Sequence, residues 1–234
     1  MPNTEPRYYA LVGVPDDQLR YKLVKTSERI ASADLASMGI EEARFTLSLT
    51  AEGPHPHFSI MHMSAESGQL LALCRRLEEV LVHHAAPIIV EAVRPNGRGA
   101  FVNMTYNDEN LRLCALRRDV HSLAAGLGIG LSPEQADLLA GLRERQQRGQ
   151  LSEAEKKELG SLTGLGYKDW HATVANFGTG LTREQRDTVN RIMVPAGSSA
   201  DDFNGGVEAV AVYRLAEYGT VVGEPLARVA LPGK

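Results

Sequence analysis

The chain has 234 residues, 43% of them hydrophobic, enough for one large domain or two small ones around a real core, which excludes disordered and fibrous architectures. Its 25 Lys and Arg stand against 29 Asp and Glu, for a net charge of −4 and a pI near 6.0, which excludes the global positive field of a protein that clamps long nucleic acid. Cys74 and Cys114, both in apolar helix-like patterns, read as reduced core thiols, and with no basic leader and no eighteen-residue apolar window the expectation is a cytoplasmic protein, neither exported nor membrane-spanning.

Tyr8 to Val14 is a β-branched and aromatic run that ends at Pro15, hence a first strand. Asp16 or Asp17 caps a helix to about Ser37, with Leu19, Leu23 and Ile30 on one face. From Arg44 the pattern turns extended, FTLSLT and then HFSIMHM, broken by Gly53-Pro54. Ser64 opens a helix to about His84 whose core face carries Leu70, Cys74, Leu77 and Leu81. Pro87 to Val93 and Gly99 to Tyr106 form a hairpin around Pro95-Asn96-Gly97-Arg98, because Asn-Gly accepts the positive φ of a tight turn. A helix over Asp108 to Leu127 buries Leu113, Leu116, Val120, Leu123 and Leu127 and stops at Gly128.

Three capping boxes follow, at Ser132 with Gln135, Ser152 with Glu155 and Thr182 with Gln185. The first two mark a polar helical hairpin, Ser132 to Gly160, with Gly149 at its turn; its Arg143, Arg145, Arg148, Lys156 and Lys157 read as a solvated face. An extended segment runs from Tyr167 to Phe177, and Val207 to Leu215 and Leu226 to Leu231 are two last strands around Glu217-Tyr218-Gly219. Interleaved helices and two β-hairpins predict an α+β domain, mostly antiparallel, with a bilobal core and no linker dividing it.

Seven histidines are available. His83 and His84 end a helix and His121 flanks an apolar stripe, so these three read as structural. His57-Phe58-Ser59-Ile60 and His171-Ala172-Thr173-Val174 are different. Each is a His-x-Ser/Thr-apolar tetrad in a β-like run, where alternation puts imidazole and hydroxyl on one face and the apolar pair on the other. Two such tetrads around one cleft suit metal-free phosphoryl chemistry: one neutral imidazole takes a proton, the other, protonated, gives one to the leaving oxygen, and the hydroxyls bond the phosphate oxygens. With seven His and 24 Ser plus Thr, chance supplies only roughly 0.3 tetrads, so a pair is informative. A third pattern, His62-Met63-Ser64-Ala65, is set aside because Ser64 reads as the cap of the next helix, which would take it off the strand face of His62.

The paired tetrads HFSI and HATV resemble the signature of the 2H phosphoesterases, the group that includes bacterial RNA 2′,3′-cyclic phosphodiesterases related to 2′-5′ RNA ligase. The likeness covers most of the chain: the opening RYYALVGVP, a long helix after the first motif, the hairpin around PNGRG and the closing GVEAVAVYRL. Members often carry Pro before the motif histidine; Pro56 holds that place and Trp170 does not. The resemblance implies an α+β fold with two mostly antiparallel sheets flanked by helices and a cleft between lobes, with the 131–163 hairpin as an insertion. It also implies a metal-independent phosphodiesterase acting on 2′,3′-cyclic phosphates or 2′-linked phosphodiesters, with His57 and His171 catalytic, Ser59 and Thr173 on the phosphate, and no cofactor.

Tyr167 and Phe177 flank the second motif as candidate substrate-stacking rings, whereas Trp170, alternating with His171, reads as core. A metal site built on His55, His57 and His62 lacks a well-spaced carboxylate, since Glu52 and Glu66 flank poorly. A nucleotide-binding module without turnover is the alternative, which two intact tetrads disfavour. The net charge of −4 points to a nucleotide, cyclic nucleotide or short RNA end as partner over a long polymer.

Overall fold

Asp16 sets the first turn of the chain: its Oδ1 accepts the Leu19 amide at 2.8 Å, capping helix α1, Asp17–Ala31, directly after strand β1, Arg7–Pro15. The computed structural model describes residues 7–40, 43–44, 46–50, 52–108, 111–130, 133–162, 169–216 and 219–233. After α1 come β2 (Phe58–Ala65), α2 (Ser67–Leu81), β3 (Ile88–Arg98), β4 (Phe101–Asn107) and α3 (Arg112–Gly126). Then follow α4 (Pro133–Gln147), α5 (Glu153–Leu162), β5 (Asp169–Asn176), α6 (Arg183–Met193), β6 (Gly205–Arg214) and β7 (Ala227–Ala230).

The strands make a curled antiparallel half-barrel in the order β2-β1-β6-β3-β4-β5, with β7 also paired to β6. The two expected sheets are two ladders that share β3, which bonds β6 through Ile88–Val90 and β4 through Glu91–Arg98. This α+β architecture is the one the element order predicts. One face carries the main core, including Leu11, Leu23, Phe58, Tyr106 and Trp170. On the other face a smaller apolar patch of Ala10, Val12, Ala211 and Tyr213 floors the opening of the half-barrel. Burial at roughly 25 cal/mol per Å² makes the first of these the dominant stabilising term.

Several local expectations are corrected. In the expected FTLSLT strand, the described residues Thr46 to Thr50 join no ladder, because the Leu47 amide goes to Ser27 Oγ at 2.9 Å and the Ser48 amide to the Pro54 carbonyl at 2.8 Å. Helix α1 stops at Ala31, and a separate 3₁₀ turn spans Ala36–Met38. The β3–β4 turn lies at Gly99-Ala100, where Gly99 has φ +60°. Asn96 and Gly97 instead continue the strand opposite Asn103 and Val102. Gly97 has a different use: a Cβ there would stand 2.8 Å from Arg186 Cγ, so its lack of a side chain admits α6. Ser64 does not cap α2. It pairs with Tyr8 inside β2 and its amide bonds the Gly130 carbonyl at 3.2 Å, while Glu66 begins the helix with its amide on Gln69 Oε1 at 3.0 Å.

The hairpin of α4 and α5 buries Leu142 and Leu159. Its charges are engaged at the surface, Arg145 with Glu155 at 3.0 Å and Lys156 with Glu153 at 2.6 Å. Ser152 and Thr182 form the capping boxes expected of them, and the Ser132 box lies outside the described residues. Cys74 and Cys114 form no disulfide, and among the described residues no helix is long and apolar enough to cross a membrane.

Candidate active site

The first motif stands at the start of β2. Ser59 lies opposite Val12 of β1, and Leu11 lies opposite Met61, so Ile60 is the extra residue of a β-bulge. Phe58 and Ile60 are fully buried while His57 and Ser59 are half-buried, so the imidazole and hydroxyl share the patch-bearing face as alternation predicts. In the second motif, on β5, His171 lies opposite Thr105 and Thr173 opposite Asn103 of β4. Val102 then pairs with Ala175, which makes Val174 the extra residue. The fourth position of each tetrad is therefore a bulge, and in each the bulge and the residue after it are both buried: Ile60 with Met61, Val174 with Ala175. Two consecutive inward residues shift the parity of all that follows on the strand.

Because β2 and β5 close on each other at the two ends of the strand order, the motifs meet. Burial first, with His62 and His171 adding to it as neighbouring like charges and the His55 carbonyl opposing it, lowers the His57 pKa to about 4. The sheet behind them is apolar: Phe58 meets Tyr106 edge-to-face at 4.9 Å, Tyr106 pairs with Trp170, and the Arg117 guanidinium lies 5.6 Å from the Trp170 ring.

His57 is held by its own strand entry. The His55 carbonyl accepts from His57 Nδ1 at 2.8 Å, which fixes the proton on Nδ1 and leaves Nε2 as the acceptor. His55 is itself clamped by the β6–β7 connection: its amide bonds the Val221 carbonyl at 2.9 Å and its Nε2 the Gly223 carbonyl at 3.0 Å. A cavity of about 190 Å³ opens beside His57, with Val12 and Tyr213 from the patch, Arg20, Arg228 and Glu224 at its rim. A larger one of about 540 Å³, between α3 and the helical hairpin, is lined by Met61, His121, Arg118 and Arg143 and reaches no motif residue.

His57, Ser59, His171 and Thr173 are thus drawn together. Phe177 is not part of the surface: it is fully buried in the main core, so its ring cannot stack on a substrate. Tyr167 lies outside the described residues. The ground for setting His62 aside does not hold, because Ser64 stays within β2 opposite Tyr8. With Ile60 bulged, His62 falls opposite Ala10 and so on the same face as Ser59. Burial, then Arg117, then His171 lower its pKa. Sequence reasoning also missed Arg20, Tyr213 and Arg228, which no motif marks. The described residues include no group of three or more His, Cys, Asp or Glu able to hold a metal ion; of the histidines weighed for such a set, His55 and His57 are bonded to carbonyl groups.

No protein-family model and no curated protein sequence matches this chain. Among solved structures it is similar to E. coli LigT in apo form, with a TM-score of 0.54, 11% identity and 98% of this chain and 99% of that one covered. It is similar to the same protein complexed with 3′-AMP, at a TM-score of 0.51, 11% identity and coverage of 97% and 99%. The complex with ATP gives a TM-score of 0.51, 10% identity and coverage of 97% and 99%. The chain accordingly has the LigT fold, that of the 2H phosphoesterases.

Proposed function

We propose that this protein is a metal-independent cytoplasmic phosphodiesterase that opens 2′,3′-cyclic phosphates or cleaves 2′-linked phosphodiesters of a nucleotide or short RNA end. The observation that carries the reading is the meeting of two His-x-Ser/Thr pairs on one cleft face, with His57 and His171 close enough to repel each other as cations. The fold, shared with a protein crystallised with 3′-AMP and with ATP, fits a nucleotide ligand.

In the reaction, the Nε2 of neutral His57 takes a proton from water as the water oxygen bonds to phosphorus. The bond from phosphorus to the ribose oxygen breaks, and protonated His171 gives its proton to that oxygen. Burial keeps His57 neutral near pH 7, which suits it to the accepting role, and the fixed Nδ1 proton keeps Nε2 facing the reaction. Ser59 and Thr173 hydroxyls donate to the non-bridging oxygens as charge accumulates. The cavity beside His57 receives the nucleoside, with Arg20 and Arg228 toward its phosphates and Tyr213 against the base.

Product analysis on 2′,3′-cyclic phosphates of increasing length tests the reading. The expected products are ring-opened monophosphates, formed unchanged in chelator and lowered roughly 10²- to 10⁴-fold in His57→Ala and His171→Ala. Activity that survives either substitution refutes the assignment. Binding with no turnover would make the protein a nucleotide-binding module instead.

A further inference from the structure

His62 has no counterpart in the two-motif scheme. It follows His57 by five residues, and the residue at the same distance from His171 is Asn176. Both come after a bulge and are returned by it to the face of their motif. Their fates differ. Asn176 is buried and engaged within its own turn, its Oδ1 accepting the Gly178 amide at 2.7 Å. His62 Nε2 is a buried ring nitrogen that has no hydrogen-bond partner among the described residues.

A neutral imidazole nitrogen enclosed without a partner is destabilising unless some other group bonds it. The surroundings say of what kind that group is. On one side stand His171 and Arg117, both cations or potential cations that act on His62. On another stands Gly219 of the β6–β7 connection, where an added Cβ would lie 3.6 Å from His62 Cε1, so this backbone roofs the ring. Along the strand, Ser59 lies two β1 positions away on the same face, Val12 against Ala10. A donor on the same strand face as the Ser59 hydroxyl and flanked by positive groups is suited to an oxygen anion.

We propose that His62 is a third substrate-contacting imidazole, its Nε2–H donating to a non-bridging oxygen of the phosphoryl group that Ser59 and Thr173 also bind. This rests on the phosphodiesterase reading above. It adds a donor on the β2 side, so that one histidine joins the two hydroxyls in holding the phosphoryl group while the other two move protons.

The test uses the full chain, inorganic phosphate and a 2′,3′-cyclic mononucleotide. The imidazole Hε1 resonance of His62 is followed while inorganic phosphate is added, and kinetics are measured for His62→Phe, which fills the volume without a donor, and His62→Gln, which keeps one. The expected results are a saturable shift of the His62 resonance and a kcat/KM roughly 10- to 100-fold lower in His62→Phe, the range for one hydrogen bond to a charged oxygen. His62→Gln recovers part of it, with the melting temperature of either variant no lower than that of the wild type. The acid limb of the His62→Phe rate profile also moves to higher pH, because a like charge that lowers His57 has gone. A His62 resonance indifferent to phosphate, or His62→Phe within twofold of wild type, overturns the proposal. If His57→Ala and His171→Ala abolish turnover while His62→Phe does not, only this inference fails; if His57→Ala remains active, the underlying reading fails.

Discussion

His55→Ala probes whether the base is oriented from behind. The side chain contributes one hydrogen bond, Nε2 to the Gly223 carbonyl at 3.0 Å, and a ring contact with Tyr213 at a centroid distance of 5.7 Å. Losing a neutral hydrogen bond of this kind costs about 1 kcal/mol of stability, and the ring contact about 0.5 kcal/mol more. The larger effect is on chemistry. With its anchor gone, the backbone at position 55 drifts, and its carbonyl no longer holds the proton of His57 on Nδ1. Any molecule whose proton moves to Nε2 presents a donor where an acceptor is needed; a histidine held in the wrong tautomer in a serine protease loses as much as ~10⁴ in kcat. Because the Val221 carbonyl still holds the position 55 amide, the drift is partial, and the expected loss in kcat is roughly tenfold with KM nearly unchanged. The bond to the His55 carbonyl raises the His57 pKa more than the His55 ring lowers it, so the acid limb of kcat/KM moves to lower pH. Steady-state kinetics on a 2′,3′-cyclic mononucleotide between about pH 2.5 and pH 8, a range that reaches below the His57 pKa of about 4, read both effects. Wild-type kcat in His55→Ala, or an acid limb displaced upward, refutes the orienting role.

Stability should depend on pH through two histidines. His57 and His121 both have pKa values of about 4, lowered chiefly by burial, against about 6.5 in the unfolded chain. Unfolding therefore takes up protons between those values, so stability is full above about pH 6.5 and falls as pH drops toward 4, by up to ~1.4 kcal/mol per pH unit for each group. Urea unfolding at pH 7 and pH 5 should show the loss, with a shallower dependence in His121→Phe; equal slopes would remove His121 as a contributor. Gly206→Ala should destabilise by about 1–3 kcal/mol, because its Cβ would stand 2.6 Å from Pro87 Cβ, beside the Asp16 carboxylate that accepts the Gly206 amide at 2.5 Å. A melting temperature equal to that of the wild type would show that the β6 start can move away from Pro87.

The helices were legible wherever a polar residue both capped and announced them. Asp16 and Thr182 act as caps through hydrogen bonds local in sequence, so three or four residues suffice to read them. Helix α3 shows the limit. Asp108, taken as its start, lies four residues before it and still serves it, with its carboxylate accepting the Arg112 and Cys114 amides at 2.9 Å each across Leu111 at φ +52°. The hairpin turn failed for the complementary reason. Asn-Gly is a strong local preference for a two-residue turn, but the pairing of Asn96 with Asn103 and of Gly97 with Val102 carries β3 three residues further and leaves Gly99 to turn. A non-local ladder outweighs a preference worth a fraction of a kcal/mol per residue. The cavity residues Arg20, Tyr213 and Arg228 come from α1, β6 and β7, and no spacing along the chain relates them.

The misreading of His62 is more instructive, because its signal was present. Strict alternation over HFSIMHMSA assigns opposite faces to His57 and His62, and a helix cap at Ser64 takes the second pair off the strand altogether. Yet Ile60-Met61, and in the other motif Val174-Ala175, are adjacent apolar residues within otherwise alternating strands. A strand with one wet face can bury two neighbours in succession only by bulging, and a bulge returns the positions beyond it to the opposite parity. The same pair in the same place in both tetrads is a repeat, and repeats are less exposed to chance than single patterns. Read that way, His-x-Ser-apolar-apolar-His puts three polar groups of β2 on one face without any structure, and it separates His62 from Asn176 by chemistry alone: an amide suited to closing its own turn, and an imidazole with nothing nearby in sequence to bond. The two-motif signature hides this, since it stops at the bulge.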